Sequence, residues 1–204
     1  MALFDFLRRP PPIRDAPALA DFIDRNAAFV VQKGLYEYSR ARAGHYSKIL
    51  FKEAGFQTAI EQSRWRAYPL GLAMVAEVVD AVLHSDSVAD RRAQVDAVNA
   101  LTLSVFDRYP VPAALTPDVW HNLRADLQRR LALIGLHPPK RAMDIPEPFA
   151  QSYFGLMPIY EKLRAPDFPA LHNYLKVTMC NIHDQLSARI DAPVLMEALR
   201  AKAN

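Results

Sequence analysis

The stretch Leu70-Gly-Leu-Ala-Met-Val-Ala-Glu-Val-Val-Asp-Ala-Val-Leu83 decides the fold. Wound as an α-helix it is apolar on almost every side, the pattern of a central helix surrounded by others. Such a helix needs amphipathic partners, and the sequence on both sides supplies them. The helical reading extends back to about Gln57. Pro69 is predicted to kink or divide it, because proline removes a backbone donor and crowds the preceding turn. Before that, Tyr46 to Ala54 reads as a short helix with Ile49, Leu50 and Phe51 inward and Gly55 as a left-handed stop. Asp15-Ala16-Pro17 is a helix start, with an acceptor for free backbone amides and a first-turn proline. Leu19, Phe22, Ile23, Phe29 and Val30, then Leu35 and Tyr36, follow at helical intervals. Gly34 and Gly44 either break that helix or merely weaken it.

Downstream, Ser87 with Asp90 forms a weakened capping box. Val95, Val98, Thr102, Val105 and Tyr109 make an inward stripe that Pro110-Val-Pro112 ends. Thr116-Pro117-Asp118 opens a helix carrying Val119, Trp120, Leu123, Leu127, Leu131 and Ile134, which stops at Gly135. Leu136 to Ile145 contains Pro138-Pro139 and is predicted to be ordered without being helical. Pro146 or Pro148 begins a helix through Tyr153, Phe154, Leu156, Ile159, Tyr160 and Leu163, kinked at Pro158. Asp167 to Ala188 forms the next, and Asp191-Ala-Pro193 starts a short last one. No alternation of period two, hairpin dipeptide or repeat appears. The expected fold is all-α, a single compact bundle of about seven or eight helices over residues 15–204. An apolar arm and Pro-rich linker, residues 1–14, precede it.

Of the 204 residues, 51% are hydrophobic and 23% charged, enough for a self-sufficient core. The single cysteine, Cys180, cannot form an intramolecular disulfide and reads as a small buried residue. Lys and Arg number 25 against 22 Asp and Glu, and the basic pairs are scattered beside acids. No nucleic-acid partner is expected, because a binding surface for one clusters its cations. No stretch approaches the roughly 18 apolar residues of a membrane span, and the N-terminus lacks a long apolar signal core. A cytoplasmic location is therefore expected. The six glycines form no phosphate cradle, and there is no G-x-S-x-G nucleophile elbow. No Glu-x-x-His pair occurs, and His172 and His183 are three helical turns apart. No cofactor and no metal are expected.

The stretch Leu127-Gln-Arg-Arg-Leu-Ala-Leu-Ile-Gly135-Leu-His-Pro-Pro139-Lys140-Arg141-Ala-Met143, then Phe149-Ala-Gln-Ser-Tyr-Phe154-Gly155-Leu-Met-Pro-Ile-Tyr160-Glu-Lys-Leu163, is similar to the second half of the ubiquinol–cytochrome c chaperone family. The likeness consists of a helix ending in a glycine turn, a Pro-Lys loop, and an aromatic-glycine helix with a tyrosine beyond it. Gly135, Pro139, Lys140, Phe154, Gly155 and Tyr160 occupy those places. Leu35-Tyr36, Arg42, His45-Tyr46 and Gly55-Phe56 are similar to the family's opening helices. The sequence departs from the pattern at Pro158, and it carries Glu77 where a histidine is expected on the helix after Trp65. The resemblance implies a non-enzymatic assembly factor for a hydrophobic client, newly made cytochrome b. Such a factor serves the respiratory bc1 complex at the surface of the inner membrane.

Candidate partner-binding residues are Lys140, Arg141 and Tyr153, of types found at binding surfaces. Phe154, Met157 and Tyr160 read as core at helical spacing. In the arm, Phe4, Phe6 and Leu7 beside Arg8 and Arg9 suit lipid contact, with apolar groups below and cations at the headgroups. The other reading of the arm is a terminus that packs on the body or on a second copy. A different class is a small-molecule or lipid-handling enzyme, such as an unconventional esterase, with a pocket among Trp65, Tyr68 and Glu77. A buried Glu77 would then move a proton. An enclosed apolar cavity beside Glu77 favours the pocket. A filled core with an open apolar groove favours the client-binding protein.

Overall fold

The computed structural model describes residues 11–84 and 87–203. It is 78% helical with no strands. In chain order the elements are α1 (Ala16–Ala43), the one-turn α2 (Ser47–Leu50), α3 (Ala54–Leu83), α4 (Val88–Phe106), α5 (Pro117–Ile134), α6 (Ala150–Gly155), the one-turn α7 (Glu161–Arg164), α8 (Phe168–Ser187) and α9 (Ala192–Ala203). Leaving out the two single turns, seven helices form the bundle among the described residues. No described helix is long and apolar enough to cross a membrane.

The apolar run is the central helix. Every residue of α3 from Ala67 to Asp80 is buried, and α1, α4, α5 and α8 all pack on it. Gly71 sets the spacing to α1, since a Cβ there would stand 3.0 Å from the Ala27 carbonyl oxygen. Helix α8 runs antiparallel to α1, as shown by the contacts Arg14–Asp191, Tyr174–Val30 and Tyr38–Asp167. The helix starts follow their caps: Asp15 accepts from Ala18 N at 2.8 Å, and Thr116 accepts from Val119 N at 3.4 Å. Gly44 ends α1 in the left-handed region at φ 52°, whereas Gly34 lies inside the helix.

Several expectations are corrected. Pro69 does not divide α3; packing by four neighbours holds the helix together where one backbone bond is missing. Gly55 is an α3 residue rather than a stop, and Ile49 is exposed because α2 is only one turn long. Phe29 has the inward phase but is 48% exposed. The helix expected from Pro146 through Leu163 is α6 and α7 separated by non-helical chain. Pro158 lies in that break, and Tyr160 is exposed rather than core. The connection after α5 contains a 3-10 turn at Ala142–Asp144. Tyr109 lies past the end of α4, and Cys180 is only half-buried. Ile13, assigned to the linker, is fully buried and joins the body by pairing with Ile190. Phe4, Phe6, Leu7, Arg8 and Arg9 lie outside the described residues.

Candidate functional site

The buried run of α3 carries two acids, and each is neutralised from another element. Asp80 meets the Arg91 guanidinium of α4 through both carboxylate oxygens, with Nη2 2.7 Å from Oδ2. Gln94 Nε2 donates to Asp80 Oδ1 at 3.1 Å. Glu77, 7% exposed, accepts from Lys140 Nζ at 2.7 Å, across 63 residues of sequence. Burial pushes the Glu77 carboxyl above its ordinary range, and the Lys140 ammonium only partly opposes this. The two residues assigned to rival functions thus bind one another. Lys140 is not a free surface cation, and Glu77 is not a free pocket acid.

Of the three partner-binding candidates, Arg141 alone is well exposed. Its Nε donates to Asp144 Oδ2 at 2.6 Å, and its guanidinium holds the Asp144 carboxyl below the usual range. Tyr153 is fully buried, and its hydroxyl donates toward the Val30 and Val31 carbonyls of α1 at 3.0 and 3.3 Å. It cannot meet a partner without unpacking α6 from α1. Phe154 and Met157 are core, as their spacing suggests.

The pocket set separates as well. Trp65, Tyr68 and Tyr109 pack edge to face, with centroids 5.4 to 6.0 Å apart. The hydroxyls of Tyr68 and Tyr109 both donate to Asp24 Oδ1, at 2.6 and 2.9 Å. A cleft of about 290 Å³ lies beside these rings, and Glu77 is not in its wall. Glu77 is two and a half turns beyond Tyr68 on α3, about 13 Å along the axis. The cleft therefore lacks the acid assigned to it.

An open groove of about 580 Å³ runs between α4 and α5; Val95, Leu103, Leu131, Ala132 and Leu136 form its apolar wall, and charged and amide side chains of the two helices make up the rest of its lining. Gly135 lets α5 close against α4, since a Cβ there would stand 3.1 Å from Val95 Cγ1. Leu136 is 79% exposed. Sequence reading did not pick out this groove. Its available signal was Leu136, an apolar residue just past the Gly135 that ends α5. No family model, no curated protein and no solved structure matches the chain.

Proposed function

We propose that this protein is a non-enzymatic binding factor that holds an apolar segment of a client protein during assembly. The observation that carries this reading is the open groove between α4 and α5, ending on the exposed Leu136. The exposed Leu136 and the apolar wall beside it offer a client a surface that leaves water on contact.

The likeness to the ubiquinol–cytochrome c chaperone family across Gly135 to Tyr160 supports a specific client, newly made cytochrome b, and a role in building the bc1 complex. Peripheral contact with the inner membrane belongs to the same proposal. A photo-crosslinking residue placed at Leu136 in living cells tests the client, and a deletion strain tests the role. The expected crosslink is to an apolar membrane protein, and the expected deletion phenotype is a reduced amount of assembled bc1 complex. Normal levels of that complex and of other membrane complexes would reject the assembly role.

A further inference from the structure

A second groove, of about 560 Å³, runs between α1 and α8 on a different part of the bundle from the α4–α5 groove. Its apolar lining is the buried Phe22 and Ile182 together with Phe29. Phe29 is the residue whose helical phase predicts burial, yet half of it faces solvent at this groove. The Lys33 ammonium lies 5.2 Å from the centre of its ring.

Two arginines line the same groove, and neither has an ion pair among the described residues. Arg25 Nε donates to the Asp21 carbonyl of its own helix, and among the described residues its terminal nitrogens have no hydrogen-bond partner. Arg189 donates through Nε and Nη2 to the Pro11 carbonyl and lies over the Phe22 ring, and among the described residues Nη1 has no hydrogen-bond partner. Burial, and then the charge of Arg25, hold the Arg189 guanidinium below its ordinary value. The amide side chains of Asn26, Asn181 and Gln185, the Thr178 hydroxyl and the Asp184 carboxylate complete the polar lining. Two carboxylates are near. Asp184 is 82% exposed and contacts His183 Nδ1 at 3.3 Å. Asp21 accepts from Arg108 at 2.9 Å. Neither neutralises the arginine pair.

We propose that this groove binds an amphiphilic anion, whose apolar body lies against Phe22, Phe29 and Ile182 and whose carboxylate or phosphate bridges Arg25 and Arg189. The volume falls within the range of small-molecule sites, a few hundred to about a thousand Å³. Guanidinium forks match the geometry of carboxylates and phosphates, and a bound anion relieves the crowding of two like charges. The aromatic lining gives the ligand's body a place out of water. The site is independent of the client groove, so either can fail while the other stands.

Isothermal titration of the full chain with decanoate, decyl phosphate, decanol and inorganic phosphate tests the site. At least one of the two anionic amphiphiles should bind about tenfold more tightly than either decanol or inorganic phosphate, because head and body each contribute. The tighter of decanoate and decyl phosphate identifies the head group. Arg25→Gln should lower that affinity about tenfold without lowering the thermal midpoint, since among the described residues the hydrogen bond of Arg25 lies within its own helix and its charge crowds Arg189. Phe29→Ser should weaken the amphiphile while leaving inorganic phosphate unchanged. Arg189→Gln is less decisive, because Arg189 also holds Pro11. Decanol binding as tightly as both anions, absence of binding by both anions, or full affinity in Arg25→Gln would each overturn the proposal.

Discussion

Glu77 and Lys140 show how a helix's sequence can display a charge without displaying its partner. The periodicity of α3 marked Glu77 as buried, and the prolines beside Lys140 marked a loop. Nothing in either pattern joins positions 63 apart, because periodicity reports a face and not the element that meets it. The pair has a definite pH signature. Burial raises the Glu77 pKa in the folded state, so the folded protein holds that proton more tightly than the unfolded chain. Its contribution to stability is complete below the ordinary glutamate value and is lost as pH rises through the raised one. Urea midpoints measured from about pH 4 to pH 7 should show that decline, and Glu77→Gln should flatten it. Lys140→Met should cost about 2 kcal/mol at neutral pH, below the cost of a fully buried pair because Lys140 keeps part of its hydration. The double variant should recover most of that loss. Arg141→Glu, by contrast, should lower stability only slightly, because its pair with Asp144 is exposed and screened by water.

Elements were legible where one signal governed a whole segment. The all-round apolar run placed α3, and Thr116-Pro117 and Asp15-Ala-Pro17 placed the starts of α5 and α1. Segments with competing signals were not. Between Pro146 and Leu163 the apolar spacing was helical, but Pro158 interrupted it and left Tyr160 on the surface. Phe29 failed in the opposite way: its helix is correctly read, but α3 and α8 do not reach far enough around α1 to cover it. Gly34 shows the packing between elements that composition cannot convey. It lies inside α1, and a Cβ there would collide with the Tyr153 hydroxyl of α6. Gly34→Ala should therefore destabilise the protein by about 1–3 kcal/mol despite alanine's better helix propensity. The same substitution should cost less in a Tyr153→Phe background, where the colliding oxygen is gone. Equal costs in the two backgrounds, measured by urea denaturation, would show that the α1–α6 contact is not what excludes a side chain at Gly34.

At the scale of the whole molecule, helical phase identified the core and left the grooves between helices unseen. A groove forms where two helices diverge, and their separation depends on residues such as Gly135 that act through a neighbour, here Val95. The candidate site follows that rule. Sequence placed Arg141 on the surface correctly and Tyr153 wrongly, because an aromatic at helical spacing serves equally as a core residue or as a contact. The proposed client site is the α4–α5 groove, and it can be tested without disturbing the core. Leu136 is exposed, so glutamate there enters water rather than the interior. Leu136→Glu should shift stability by only about 0.5 kcal/mol and leave the far-UV spectrum helical. A client segment seated in the groove would meet a carboxylate in place of an apolar side chain and would face its desolvation cost. Crosslinking to the client from a probe at Ala132, in the groove wall, should then fall severalfold while the protein's thermal midpoint holds. An undiminished crosslink at constant stability would mean that the client rests elsewhere on the bundle.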